Sequence, residues 1–245
     1  MTLPQHLVDS LADAVRGGVV TVEGEEAHHA VVVRRLRTGE SVRLGDGRGR
    51  YAVGEVVATT KRSFDVAVHE VHDVAEPTPR ITVVQALPKG DRGELSVEVL
   101  TEVGVATVVP WAAARSVAVW KGERATKSHR KWQATAREAA KQARRAWAPE
   151  VTPLATTSEV VDRLAGADLA VVLHENADTA IAALPEPAGD VVVVVGPEGG
   201  LAPEELDAFT RAGATPVRMG VEVQRTSTAG LSAVAALLSR TERWR

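Results

Sequence analysis

Apolar positions in the first seventy or so residues alternate rather than recur at helical spacing. Val19–Glu23, Ser41–Leu44, Gly54–Ala58 and Ser63–Val71 are rich in valine, and turn residues such as Gly45-Asp46-Gly47 separate them. Period two bounded by turn residues predicts short strands. One helix is predicted over Glu25–Arg37, where Ala27, Val31 and Leu36 fall near one side. The segment reads as a small β-barrel or sandwich. Glu76-Pro77-Thr78-Pro79 then reads as a linker, because two prolines so close prevent either element from continuing.

From Arg80 the pattern changes to strands alternating with helices. Strands are predicted at Ile81–Leu87, Ala106–Pro110, Leu169–His174, Asp190–Val195 and Thr215–Met219. Helices are predicted at Arg92–Val103, Ser158–Leu164, Pro203–Ala212 and Thr228–Arg240. Such alternation predicts an α/β domain with a parallel sheet covered on both faces.

Thr126–Trp147 carries a helical period of its own. Trp132, Ala136, Ala139, Ala143 and Trp147 fall on one face, and Lys127, Arg130, Arg137, Lys141, Arg144 and Arg145 on the other. The charge distribution gives this face a meaning that the overall net charge of −3 conceals. Arg115–Arg145 holds ten Lys/Arg against Glu123 and Glu138, whereas Ala148–Ala208 holds twelve Asp/Glu against Arg163 alone. A smaller basic region, Arg34–Arg62, has eight Lys/Arg and three acids. A basic ridge nearly free of acids suits a phosphate backbone, whose counterions it would release. A solvated face that keeps the helix soluble is the simpler alternative.

Composition narrows the chemistry. The chain has no cysteine, which excludes disulfides, thiolate metal sites and thiol nucleophiles. His28, His29, His69 and His72 form no convincing ligand set, so no metal is expected. Pro4, His6, Asp9 and Asp13 break any signal-peptide core, and runs such as Val191–Val195 are too short to cross a bilayer. The expectation is a soluble, cytoplasmic protein without a membrane partner.

Three strand ends carry the candidate chemistry. Val191–Val195 leads into Gly196-Pro197-Glu198-Gly199-Gly200, with Pro203 near the start of the next helix. Ligands in open parallel sheets bind beyond the carboxyl ends of strands, and glycines let backbone amides approach them. A tight strand-to-helix turn would also account for the loop. The glycines fit neither nucleotide fingerprint, and Glu198 would repel a phosphate. A neutral or cationic adenosine ligand such as S-adenosylmethionine fits better. Met219-Gly220 is followed by Val221-Glu222-Val223-Gln224-Arg225-Thr226-Ser227-Thr228-Ala229, whose hydroxyls are natural helix caps. Arg225 sits just before a helix start, where the macrodipole disfavours a cation, and so is aimed at an anion or an ion pair. His174-Glu175-Asn176 supplies the third loop.

These residues resemble the RsmE family, 16S ribosomal RNA uridine-N3 methyltransferases of the SPOUT superfamily. The likeness rests on Gly196-Pro197-Glu198-Gly199-Gly200-Leu201, Glu204-Glu205-Leu206, Met219-Gly220 and Arg225-Thr226-Ser227-Thr228-Ala229. It extends to Lys89-Gly90, Glu102-Val103-Gly104-Val105, Pro110 with Arg115-Ser116-Val117, and Trp132 with Ala139-Ala140 and Gln142. His29, Arg34-Arg35-Leu36-Arg37 and Gly45-Asp46-Gly47 match in the first domain. Two positions depart from the family's Leu-Arg-Thr-Glu-Thr pattern. Gln224 stands for Leu, and Ser227 for Glu, so no carboxylate base is assigned there.

The resemblance implies a PUA-like β-barrel over residues 1–75 and a SPOUT methyltransferase domain over 76–245 with a C-terminal trefoil knot. It implies a homodimer that uses S-adenosylmethionine, and 16S rRNA, within the assembled small ribosomal subunit, as partner. Leu173, His174, Gly196, Pro197, Glu198, Gly199, Gly200, Met219 and Gly220 become the expected cofactor contacts, with Val223, Gln224 and Thr228 beside them. Arg225 is the expected catalytic residue, stabilising the uracil anion. Arg34, Arg35, Arg37, Lys89, Arg115, Arg130, Arg137, Lys141 and Arg144 are the expected RNA contacts. The competing readings are a SPOUT enzyme acting on another rRNA or tRNA position, and a non-catalytic RNA-binding ribosome-assembly factor.

Overall fold

A computed structural model describes residues 3–244. Contacts divide the chain into two units: residues up to Glu76 together with Ala140–Ala148, and Pro77–Ala139 together with the chain from Pro149 onward.

The first unit is a curled five-stranded sheet built from β1 (Gln5–Leu7), β2 (Val19–Glu23), β3 (Ser41–Gly45), β4 (Arg50–Thr59) and β5 (Ser63–Asp73), in the order β1-β3-β4-β5-β2. Alternate valines point inward, so Val22, Val42, Val56, Val66 and Val68 surround Phe64. The β4–β5 register shifts at Val53/Gly54 and again at Val56/Ala58, and irregularities of this kind bend a strand pair. A Cβ on Gly54 would run into the Ala67 carbonyl, so the bend requires glycine there. β1 escaped the sequence reading because it is three residues long and two of them, Gln5 and His6, are polar yet buried.

The helix expected over Glu25–Arg37 is shorter. It comprises α1 (Gly24–His28) and a π-helical turn, His29–Val33, after which Arg35 adopts φ 60°. That left-handed residue turns Leu36 back so that its side chain is buried and its N–H reaches the Ala30 carbonyl. Three consecutive valines, poor helix formers, precede the break.

Ala140–Ala148 packs with the first unit. Gly49 donates its N–H to Ala146, Ala148 to Gly47, and the Trp147 indole to the Val74 carbonyl. A Cβ on Gly49 would lie 2.6 Å from the Trp147 ring, so the strand and indole meet only at glycine. These pairings link residues far apart in the chain and leave no local period.

The second unit is a parallel seven-stranded sheet. In chain order its elements are β6 (Arg80–Ala86), α2 (Arg92–Val103), β7 (Thr107–Trp111), α3 (Gly122–Gln142), β8 (Glu150–Val151), α4 (Thr157–Ala165), β9 (Leu169–Leu173), β10 (Thr179–Ala180), β11 (Asp190–Val195), α5 (Pro203–Arg211), β12 (Thr215–Arg218) and α6 (Thr226–Leu238). The strand order is β10-β12-β9-β11-β6-β7-β8. β11 shows why a valine run marks a strand covered on both faces. Val191, Val193 and Val195 pack with α2 and α6 residues such as Leu100 and Val234, while Val192 and Val194 pack with Val160 and Leu164 of α4 and Phe209 of α5.

α3 ends at Gln142, five residues before the predicted end. Trp132, Ala136 and Ala139 are buried as the helical period requires, but Ala143 is exposed and Trp147 lies beyond the helix. Among the described residues, no helix is long and apolar enough to cross a membrane, and no group of His, Asp and Glu could hold a metal ion.

Candidate active site

β12, β9 and β11 are neighbours in the sheet and parallel, so their carboxyl ends open on one edge. The loops that leave them enclose a cavity of about 670 Å³, a size typical of small-molecule sites. Its lining takes Leu173, His174, Glu175 and Asn176 from the end of β9 and Gly196–Leu201 from the end of β11. Met219–Thr226, which joins β12 to α6, completes it with Arg92 and Arg115.

Each loop is held from outside. His174 donates its N–H to the Val217 carbonyl at 2.9 Å, and its Nδ1 accepts the Asn176 N–H at 3.3 Å. In the glycine loop, Glu198 Oε1 accepts the Lys89 backbone N–H at 3.1 Å, and Arg115 donates to the Gly199 carbonyl at 3.4 Å. A Cβ on Gly199 would stand 3.2 Å from both the Arg115 Cβ and its carbonyl. Gly200 has φ 71° and Gly220 φ 153°, a backbone region that side chains disfavour. Glycine is therefore required at 199 for closeness and at 200 for conformation.

The β12–α6 loop rests on a buried glutamine. Gln85, 1% exposed near the end of β6, donates to the Thr226 carbonyl at 3.2 Å and fixes where α6 begins. Arg225 is the residue before α6; its carbonyl accepts the N–H groups of Thr228 and Ala229, while its side chain is exposed and lines the cavity. Ser227 is buried, with its hydroxyl lacking a partner. Thr228 instead turns its hydroxyl back to the Arg225 carbonyl at 3.4 Å.

The geometry gathers most of the predicted small-molecule contacts. Leu173, His174, Gly196, Pro197, Glu198, Gly199, Gly200, Met219, Gly220, Val223, Gln224 and Arg225 all line the cavity, whereas Thr228 does not. Val221 and Val223 are 93% and 78% exposed, so the outer part of the loop packs on nothing described. Of the predicted polyanion contacts, only Arg115 reaches this cavity, and Lys89 meets it through its backbone. Arg130 and Arg137 are exposed on α3, and Arg34, Arg35 and Arg37 are exposed in the first unit. Lys141 is not on an exposed ridge: it is 7% exposed, with Nζ 3.1 Å from Glu26 Oε2. Arg144 lies past the helix end with φ 51°.

Sequence reasoning missed Arg92 in the lining, and it gave Glu175, Asn176 and Glu222 as residues of the candidate loops without naming them as ligand contacts. Arg92 was detectable, because it opens the helix after β6, the strand beside β11.

The cavity can hold a ligand of mixed charge. Glu175, Glu198 and Glu222 offer negative charge, and Arg92, Arg115 and Arg225 positive charge.

Comparison with known proteins gives this arrangement a context. Residues 75–238 match the family described as RNA methyltransferase domain, and residues 22–68 the family described as RNA methyltransferase PUA domain. The chain is 45% identical over 243 residues to Ribosomal RNA small subunit methyltransferase E of Mycobacterium tuberculosis, covering 97% of this chain and 92% of that one. Its Bacillus subtilis counterpart is 30% identical over 232 residues, covering 91% of this chain and 90% of the relative. Among solved structures, Ribosomal RNA small subunit methyltransferase E of Neisseria gonorrhoeae bound to S-adenosyl methionine superposes with a TM-score of 0.88 at 25% identity, covering 97% and 98% of the two chains. A Legionella pneumophila protein solved in complex with SAM gives 0.88 at 26% identity, covering 98% of each chain.

Proposed function

The chain belongs to the ribosomal RNA small subunit methyltransferase E family, and from that premise we propose that it methylates N3 of a uridine in 16S rRNA. It is an S-adenosylmethionine-dependent rRNA methyltransferase. The observation that carries the reading is the cavity at the ends of β9, β11 and β12, with Arg225 at its edge.

The residues present fit the cofactor. Gly199 and Gly200 make a surface on which a Cβ would intrude or strain the backbone. The carboxylates of Glu175, Glu198 and Glu222 suit a ligand with sulfonium and ammonium charges, and Ser227 brings a buried hydroxyl to the start of α6. Leu173, His174, Gly196, Pro197, Gly220 and Met219 would hold it through backbone and apolar contacts, with Val223 and Gln224 at the outer side. When bound, the cofactor supplies an electrophilic methyl group.

The protein's own work is positioning and charge control. The three tethered loops hold two reactants in line, which removes much of the entropic barrier. Uridine N3 carries a proton at neutral pH and must lose it, to water, before its electron pair can attack the methyl carbon. Arg225 stabilises the anion so formed. A unit charge about 4 Å away is worth roughly 4 kcal/mol at an effective dielectric near 20, enough without a dedicated base. The target base leaves its stack to reach the cavity. Arg34, Arg35, Arg37, Lys89, Arg115, Arg130, Arg137 and Arg144 contact RNA, mostly at phosphates.

The same proposal includes a cytoplasmic homodimer, a trefoil knot and an assembled small subunit as substrate. Exposed Val117, Val221 and Val223 favour a partner surface on the second unit.

The test is to incubate small subunits from a strain lacking the modification with the protein and labelled S-adenosylmethionine, then to identify the labelled nucleoside by mass spectrometry. The reading requires 3-methyluridine at one site. Label in another nucleoside overturns the position, and no label overturns the activity.

A further inference from the structure

Within the first unit lies a cavity of about 370 Å³ that the reaction does not use. At its base, Glu26 Oε1 is 2.9 Å from His6 Nδ1 and its Oε2 is 3.1 Å from Lys141 Nζ, all three side chains being nearly buried. Leu3, Pro4 and Leu36 add apolar wall, and Arg34 and Arg144 complete the lining.

Charge is unbalanced toward the positive. Both carboxylates of the lining are already engaged: Glu26 as above, and Glu40 through the Arg37 backbone N–H at 3.0 Å. Arg34 and Arg144 are exposed and have no carboxylate partner among the described residues. The nearby Arg43 guanidinium, lying 3.7 Å over the Tyr51 ring, is held below its usual range, chiefly by burial and further by the like charge of Arg144.

The backbone is strained at the same place. Among the described residues only Arg35 and Arg144 combine a side chain with positive φ, at 60° and 51°. One follows Arg34 and the other is itself in the lining. Strain of this kind persists where the surroundings impose it, and clusters at binding sites.

The polar complement is specific. Gln5 and His6 are each 6% exposed and line the cavity; Gln5 gives its amide N–H to the Arg145 carbonyl, which leaves its buried Oε1 without a partner. His6 Nδ1 lies 2.9 Å from the Glu26 carboxylate, and its buried Nε2 is a second polar atom without a partner. Two guanidinium groups, a short apolar wall and two buried polar atoms without partners, Gln5 Oε1 and His6 Nε2, together match a phosphate, a planar ring and the ring's polar edge.

We propose that this cavity seats one unstacked nucleotide of the RNA, its phosphate between Arg34 and Arg144 and its base against Leu3, Pro4 and Leu36. The proposal rests on the RNA-methylating reading above. The first unit would then grip the RNA at a defined nucleotide as well as by surface charge.

The test titrates the full-length protein with a short fluorescent single-stranded RNA at several salt concentrations, for the wild type, Arg34→Gln and Arg144→Gly. Each variant should lose about tenfold in RNA affinity, with a slope of log K against log salt shallower by about one. Arg144→Gly should melt higher, because glycine relieves the left-handed strain, so its binding loss cannot come from unfolding. S-adenosylmethionine affinity should not change in either variant. Photo-crosslinking with 4-thiouridine RNA should place an adduct on the Leu3–His6, His29–Arg34 or Lys141–Arg144 segments. Wild-type RNA affinity and slope in both variants overturn the site while leaving the methyltransferase reading intact. The same follows if UMP or AMP binds the cavity but the variants leave RNA affinity unchanged. A wild type that binds cofactor but no RNA overturns both.

Discussion

The Glu198 carboxylate accepts the backbone N–H of Lys89 at 3.1 Å, joining the loop after β11 to the loop after β6. The two strands are adjacent and parallel, so this bond spans the mouth between their carboxyl ends. It fixes the glycine loop from a side chain that is itself exposed.

Replacing Glu198 by Ala should therefore weaken cofactor binding more than it weakens folding. A single exposed hydrogen bond contributes about 1 kcal/mol, or roughly fivefold in affinity. Calorimetric titration with S-adenosylmethionine should show that loss with a nearly unchanged melting temperature. Glu198→Gln keeps the acceptor and should recover most of the affinity; equal losses in both variants would show that the negative charge, not the tether, is what the ligand senses.

Arg225 lines the cavity from the residue before α6 and packs into no core. Arg225→Ala should lower turnover about 10²- to 10³-fold, a loss of roughly 3–4 kcal/mol in the transition state. Cofactor affinity should change little. Single-turnover assays on saturating substrate separate the two effects. Arg225→Lys should retain more activity if charge dominates and little if the planar fork is needed.

What could be read in the sequence follows from the range of the interactions. Val191–Val195 announced a strand buried on both faces because every residue of it is apolar, and the glycines that follow announced a backbone approach. The RNA methyltransferase reading was visible in the ordered motifs from Lys89 to Ala229. β1 was not visible, since Gln5 and His6 are buried by partners a hundred residues or more away in sequence or on α1. Lys141 illustrates the same limit. Helical spacing put it on a basic ridge, but Glu26 draws it into the first unit's interior. Arg92 was missed because the loop after β6 is tied to the glycine loop only by a long-range bond, from the Lys89 N–H to Glu198, that leaves no local pattern.

Gly199→Ala should act on the cavity through Arg115. The added Cβ would stand 3.2 Å from the Arg115 Cβ and carbonyl, and a backbone carbonyl cannot swing aside as a long side chain can. The loop must then shift by a few tenths of an ångström, and cofactor affinity should fall at least several-fold. Gly200→Ala meets no atom within 4 Å but is forced to keep φ 71°. It should cost about 1 kcal/mol in stability and less in binding. Paired melting and titration data on the two variants would show opposite emphases if this division is right.

The Glu26–Lys141–His6 cluster makes the first unit sensitive to acid. Burial works against the charged Glu26 carboxylate, but the His6 hydrogen bond and the Lys141 ammonium outweigh it and hold the group below the usual carboxylate range. A carboxyl depressed in the folded state contributes stability that is fully present above its unfolded pKa. That contribution is lost as pH falls through the lower, folded value. Melting temperature measured from neutral pH downward should therefore decline below the ordinary glutamate range. Glu26→Gln removes the carboxylate charge 3.1 Å from the buried Lys141 ammonium and should cost about 2–4 kcal/mol at neutral pH. Because the variant has no carboxyl to protonate at position 26, its decline with acid should be shallower, and the two curves should converge. Lys141→Met tests the partner: removing the ammonium should raise the folded-state Glu26 pKa toward its unfolded value, so the variant should lose less stability with acid than the wild type. Parallel curves for wild type and Glu26→Gln would mean that the cluster contributes packing alone.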